Sequence, residues 1–359
     1  MARPATLYIS RKNLAHNLKV VEKHSSDCKI MAVIKANAYG HGMVEVASEL
    51  AKFGVNALAV CSLDEALVLR DARISLPIVL LTGFFSELEL SKIISLNLIP
   101  VIHNLEQFEI LRKHKIPSTL GIIIKIDTGM HRLGFASEIF KEIYQKLQQV
   151  NGINIFAVMS HFARADEPAS KNNVKQLENF NKAVAKVDLP KSMANSAAIL
   201  TLPHAHFDWI RPGIMLYGAN PLTIGSFEDY NLKPVMRFES EVVEVKHVNT
   251  GDEVGYGGAW AAKKPAKIAI VAAGYGDGYP RHAPSGTPVA VNSQIAPLAG
   301  RVSMDLLAVD VSLLDTVKIK DRVELWGNIV PVDKVANKSG TIAYELFCSI
   351  SSRVARVYV

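Results

Sequence analysis

Two patterns predict an α/β chain with two parts. Over residues 1–231, short apolar, β-branched runs alternate with amphipathic segments; over 232–359, apolar and polar residues alternate with period two between Gly, Pro and Asp turns. The first pattern predicts a (β/α)8 barrel of the TIM type and the second a mostly-β domain. A chain of 359 residues, 49% hydrophobic and 21% charged, has core enough for both.

The barrel strands are expected at 30–34 (within KIMAVI), 56–60 (NALAV), 77–81 (PIVLL), 98–102 (LIPVI), 120–126 (LGIIIKI), 153–160 (INIFAVMS), 191–194 (KSMA) and 209–215 (WIRPGIM). Helical spacing lies between them. In SLDEALVLRDAR, Ser62 can cap and Glu65 can complete a capping box. SEIFKEIYQKLQQV and NVKQLENFNKAVAKV repeat apolar positions at three and four. Beyond Asn231, VMRFESEVVEVKHV, AKIAIVAAG, TPVAVNSQIAPLAG and LLAVDVS read as strands, and long helical stripes end.

Net charge is +6, with Lys and Arg dispersed rather than blocked, which favours an anionic small molecule over nucleic acid. Three cysteines (Cys28, Cys61, Cys348) form no metal motif and suit reduced thiols. MARPATLYISRKNLAHNL lacks an apolar core with a cleavage site, and no apolar run is long enough to span a bilayer, so a cytoplasmic location and no membrane partner are expected.

In such a barrel, chemistry gathers at the C-terminal ends of the strands. Strand one runs out at Lys35, strand five into Asp127 and the DTGMHR turn with Arg132, strand six at His161, strand seven into Asn195 and Ser196, and strand eight at Arg211 and the RPGI turn. A lysine amine at an apolar barrel mouth is partly desolvated, which frees its lone pair to form an imine with an aldehyde. Pyridoxal phosphate is the aldehyde cofactor that uses such a lysine. Its phosphate suits the hydroxyl of Ser196 and the backbone of Gly213 and Ile214 after the late strands. Arg132 can grip a carboxylate through two parallel hydrogen bonds. Each residue also has an ordinary reading: a solvated rim lysine, a structural histidine, arginines in salt bridges. His103, His131, His204 and His206 are scattered, and no third ligand completes a zinc site.

The ordered set AVIKANAYGHG, KIDTGMHRLG, SHFARADE, ANSAA, RPGIMLYG, VGYGGAW, GYGDGYPR and GRVSMD resembles the motifs of the alanine racemase family, from residue 32 to beyond 300. The resemblance implies interconversion of L- and D-alanine with pyridoxal 5'-phosphate, which supplies D-alanine for bacterial cell-wall peptidoglycan. It implies that Lys35 holds the cofactor as a Schiff base and that Tyr39 reaches the phosphate. His161 would lie beside the pyridine ring, and Arg211 would donate to the pyridine nitrogen. Ser196, Gly213, Ile214 and Tyr344 (from TIAYELF) would complete the phosphate cradle. Arg132 would hold the substrate carboxylate, and Met304 would line the substrate pocket. Lys35 and Tyr256 would be opposed bases, Lys35 for the D- and Tyr256 for the L-enantiomer. Tyr256 and Met304 belong to the β domain, and the family implies a homodimer in which each copy supplies them to its partner's barrel. Lys125, alternating with isoleucines in GIIIKID, is expected to point into the barrel; the resemblance implies that it is carbamylated, the plain alternative being an ion pair with an acidic neighbour such as Asp127. Three other readings share parts of this pattern. A broad-specificity racemase should carry a secretion signal and a disulfide. A barrel-type amino-acid decarboxylase must release the carboxylate that Arg132 would grip. A single-domain pyridoxal-phosphate carrier lacks the β domain. A non-enzymatic structural role gives no reason for polar groups to converge on one rim.

Overall fold

Lys29–Val33 is buried at every position but its first, and the three-residue core of Ile78–Leu80 and all of Ala57–Val60 are buried too, the pattern of strands covered on both faces. The computed structural model describes residues 3–25, 27–117 and 119–359. Lys29–Val33 pairs in parallel with Ala57–Val60, which pairs with Ile78–Leu80, and that with Ile99–Ile102. The series continues through Leu120–Asp127, Ile153–Met159, Lys191–Asn195 and Trp209–Arg211. The last strand pairs back onto the first, Trp209 opposite Lys29, and closes the eight-stranded ring.

Helices Leu63–Asp71, Glu87–Ser95 and Leu105–Lys113 follow strands two to four, each opened by a polar cap: Ser62, Ser86 and Asn104 accept the backbone N–H three residues on. The capping box expected at Ser62 forms by half. Ser62 Oγ accepts from the Glu65 N–H, but the Glu65 carboxylate turns the other way, to the N–H groups of Cys61 at 2.7 Å and Ala36 at 2.6 Å. Those donors sit at the ends of the first two barrel strands and outcompete the cap residue's own N–H.

The second part is built on Met236–Val248, a thirteen-residue strand. It pairs antiparallel with Arg322–Trp326 and, further along, with Ala266–Val271. The strand Thr6–Ile9 joins this same sheet, antiparallel to Met236–Val248 and parallel to Ala355–Tyr358. The N-terminal residues were expected with the barrel in 1–231; four of them instead lend a strand to the β sheet, because their partners come from the far end of the chain. Two short helices, Val332–Lys338 and Ala343–Cys348, interrupt the β pattern. The second returns to the barrel mouth. Arg356 Nε donates to the Gly40 carbonyl at 2.9 Å and the Tyr358 hydroxyl to the His41 carbonyl at 3.2 Å. A Cβ on Gly40, whose φ is +76°, would lie 2.0 Å from the Phe347 carbonyl oxygen. Among the described residues, no helix is long and apolar enough to cross a membrane, and all three cysteines are free.

Candidate active site

After Ile34 the backbone turns left-handed: Ala36, Asn37, Ala38 and Tyr39 have φ between 51° and 54°, and Gly40 continues at 76°. Left-handed conformation costs an L-residue roughly 1–2 kcal/mol. Four in succession persist because the surroundings hold them. Glu65 takes the Ala36 N–H, Asn37 Oδ1 takes the Met43 N–H at 2.8 Å, and the buried His41 ring places Nδ1 2.8 Å from the Tyr39 carbonyl and 3.1 Å from that of Ala38. Both partners are acceptors, so Nδ1 carries the proton; burial pushes the ring's pKa down to about 4 and keeps it neutral. The small side chains of Ala36, Asn37 and Ala38 make this turn possible directly beside Lys35.

Lys35 opens onto a cavity of about 530 Å³ at the C-terminal ends of the barrel strands. Tyr39, Lys125, Arg132, His161, Ser196, Arg211, Gly213, Ile214 and Tyr344 line it as well. Four lining side chains are cationic (Lys35, Lys125, Arg132 and Arg211), and none of the lining residues is a carboxylate. Cys61, Thr82 and Cys348 also line it and were not anticipated. Cys61 and Thr82 lie just past the second and third barrel strands, so reading every strand end, rather than those with striking side chains, would have found them. Cys348 comes from the returning helix and has no such signal.

Arg211 is buried and fixed by its partners: Nη1 donates to Ser192 Oγ at 2.5 Å, Nη2 to the Ser160 carbonyl at 2.6 Å and to His161 Nδ1 at 3.0 Å. Burial lowers its pKa to about 10, so it stays charged at neutral pH. His161 is held well below its ordinary pKa, first by desolvation and then by Arg211, Lys125 and Arg132. Lys125 is lowered to about 8 by burial, then by Arg211, Arg132 and Lys35, against a smaller opposing pull from Asp127. No carboxylate among the described residues lies within ion-pair distance of Lys125; Asp127 instead faces His131 at 3.4 Å and accepts the N–H groups of Gly129, Met130 and His131.

Ser196 Oγ accepts the N–H groups of Gly213 at 2.8 Å and Met215 at 3.4 Å, which ties the seventh and eighth strand ends together. A Cβ on Gly213 would approach the Tyr39 hydroxyl to 2.7 Å. Tyr39 and Tyr344 face each other with ring centroids 5.8 Å apart, and burial pushes both phenols above their ordinary pKa, so they are protonated donors.

Tyr256 and Met304 do not line this cavity. Tyr256 sits in a short 3-10 turn, Tyr256–Gly258, and is 68% exposed; Met304 is 53% exposed.

A closed parallel barrel with a cationic mouth, joined to a β domain, defines a two-domain barrel enzyme. The family model described as alanine racemase, N-terminal domain, matches residues 9–221, and that described as alanine racemase, C-terminal domain, matches 235–358. The chain is 42% identical to the alanine racemase of Aeromonas hydrophila over 358 residues, covering 99% of this chain and 100% of that one. It superposes on the crystal structure of the biosynthetic alanine racemase from Pseudomonas aeruginosa with a TM-score of 0.97, at 42% identity and 99% coverage of both chains. It also matches the alanine racemase structure from Bartonella henselae with covalently bound pyridoxal phosphate, at a TM-score of 0.93, 30% identity and 100% coverage of both. The chain belongs to the alanine racemase family, which makes it an isomerase.

Proposed function

We propose that this chain racemises alanine with pyridoxal 5'-phosphate held by Lys35, in a cytoplasmic homodimer whose two copies complete each other's sites. The observation that carries the reading is the cavity mouth: Lys35, Arg132 and Arg211, with no aspartate or glutamate among the lining residues, call for anions, and the cofactor's phosphate and the substrate's carboxylate are two. The residues fit the cofactor. An amine stands on the rim, Ser196, Tyr39 and Tyr344 bring hydroxyls to one wall, and the missing Cβ of Gly213 leaves backbone accessible beside Tyr39. We assign the phosphate to Tyr39, Ser196, Gly213, Ile214 and Tyr344, and the substrate carboxylate to Arg132. When bound, pyridoxal phosphate makes the substrate's Cα–H acidic by accepting charge.

Racemisation then needs a proton acceptor and donor on each face of that carbon. Lys35 serves the D-enantiomer's proton and Tyr256 the L-enantiomer's. Tyr256 and Met304 are exposed and outside their own chain's cavity, which supports their delivery to a partner's barrel; a two-fold pair makes two equivalent sites. Arg211, charged and fixed by Ser192, Ser160 and His161, gives the cofactor ring a hydrogen bond rather than a proton. His161, neutral, packs beside that ring. Lys125 carries a carbamate: its amine, unpaired among cations, adds to carbon dioxide with loss of one proton, and the resulting anion braces Arg132. Residues 1–231 hold the cofactor together with Tyr344, and 232–359 also supply Tyr256 and Met304. The product D-alanine serves bacterial peptidoglycan, in keeping with the biosynthetic description of the Pseudomonas aeruginosa relative.

The test is conversion of L-alanine by the purified protein with added cofactor, followed by optical rotation. Rotation should decay to zero with wild type, and Lys35→Ala and Tyr256→Phe should each lose at least about a thousandfold, as for groups acting in the chemical step. Bound cofactor without any decay would identify a carrier instead, and released carbon dioxide a decarboxylase.

A further inference from the structure

We infer that Glu65 is the positioning residue that aims Lys35. It stands on the first turn of the helix after barrel strand two, away from the roles assigned above, and it touches neither the amine of Lys35 nor any cation within ion-pair distance among the described residues. Its two oxygens divide between two strand ends. Oε1 accepts the N–H of Ala36, the residue directly after Lys35, at 2.6 Å; Oε2 accepts the N–H of Cys61, just past strand two, at 2.7 Å. The first bond anchors the entry of a four-residue left-handed turn that has no inherent preference for that conformation. The second ties that entry to the neighbouring strand, itself in register with strand one through Val33 and Ala59. A carboxylate accepting backbone N–H groups is a short, charge-assisted arrangement with a fixed direction. One side chain thus sets both the height and the rotation of the backbone from which the Lys35 side chain departs.

Ala36 is exposed, so its N–H passes to water when the carboxylate is removed, and the Cys61 N–H, only part-buried, is left at most half-shielded. The fold should survive, and the effect should fall on how tightly the turn, and with it Lys35, is held. The inference rests on the proposal that Lys35 holds the cofactor, and the measurements separate the two. Glu65→Ala and Glu65→Gln are compared with wild type by Ala36 amide hydrogen exchange in the cofactor-free protein, by pyridoxal phosphate half-saturation, and by the rate at which borohydride fixes cofactor to Lys35. In Glu65→Ala, exchange at Ala36 should quicken about tenfold and half-saturation rise about tenfold, the scale of one lost charge-assisted bond, with slower fixation and an unfolding midpoint near wild type. Glu65→Gln keeps one acceptor oxygen and should recover most of each loss. Wild-type half-saturation and fixation in Glu65→Ala would overturn the inference. So would equal losses in both variants that track a fall in unfolding midpoint, the mark of a structural role alone. If wild type fixes no cofactor at Lys35, the functional proposal fails, and exchange at Ala36 alone decides the clamp: quickened exchange upholds it and unchanged exchange rejects it.

Discussion

The Arg211 guanidinium donates to Nδ1 of His161 at 3.0 Å. That bond fixes the tautomer of the imidazole: Nδ1 accepts, so the ring's single proton sits on Nε2. It also sets two charges against each other. Arg211 keeps its proton with a pKa near 10, and His161, desolvated and facing that cation, stays neutral far into acid.

Replacing Arg211 with Lys should therefore reach beyond Arg211. An ammonium cannot serve Ser192, Ser160 and His161 together from one plane. Racemisation should fall by about ten- to a hundredfold, the range for a hydrogen bond made to a charged group. The His161 ring proton signal, followed by NMR across pH, should titrate higher than in wild type yet below an ordinary histidine, since desolvation remains.

Gly213→Ala places a methyl 2.7 Å from the Tyr39 hydroxyl. The phenol ring is wedged between Tyr217 and Tyr344 and has little room to yield. Cofactor half-saturation should rise about tenfold, as for one displaced hydrogen bond to a charged ligand, with a smaller effect on the unfolding midpoint.

Gly40→Ala tests the seam between the parts. A Cβ there meets the Phe347 carbonyl at 2.0 Å, on a backbone with φ of +76°. Backbone cannot move aside as a side chain can, so a loss of about 3 kcal/mol or more in denaturant unfolding is expected.

Lys125 gives the account a pH signature. A bare amine with its pKa lowered from 10.5 to about 8 binds fewer protons folded than unfolded between those values. Stability should then rise with pH from about 8 to 10.5, at up to about 1.4 kcal/mol per unit, with the full penalty present below 8. Carbamylation removes that penalty. Bicarbonate should accordingly raise the unfolding midpoint at neutral pH, and Lys125→Ala should abolish the bicarbonate effect. A midpoint insensitive to bicarbonate would favour the free amine.

Much of this was legible in the sequence, and the reasons for the rest are physical. Most of the barrel strands announce themselves because they are buried on both faces and so are written in β-branched and apolar residues; Lys191–Asn195 (KSMAN) and Trp209–Arg211 (WIR) are short and mixed, and only their order and spacing mark them. Thr6–Ile9 does not: four residues beside Pro4 carry little pattern, and their pairing with Met236–Val248 and Ala355–Tyr358 is set by partners hundreds of residues away. The rim residues Lys35, His161 and Arg211 follow from strand ends, whereas the left-handed turn at Ala36–Tyr39 is invisible in residues that elsewhere build helices. Glu65 shows the limit most directly. Its spacing from Ser62 satisfies a capping rule, but local spacing cannot register that the Ala36 N–H waits at the end of the neighbouring barrel strand. The family resemblance puts Tyr256 at the chemistry; on one chain it is exposed and does not line the cavity, and in the proposed pairing a second copy gives it a substrate to meet.

That exchange of tyrosines is tested most directly by complementation. Lys35→Ala and Tyr256→Phe proteins, each nearly inactive, are mixed, dissociated, reassociated and assayed for racemisation of L-alanine. With shared sites, each mixed dimer has one site carrying both lesions and one intact, and activity should return to about half per mixed dimer, as two-fold symmetry requires. If each chain used its own tyrosine, every site would carry one lesion. The absence of any recovered activity, with mixed dimers demonstrably formed, would contradict the account.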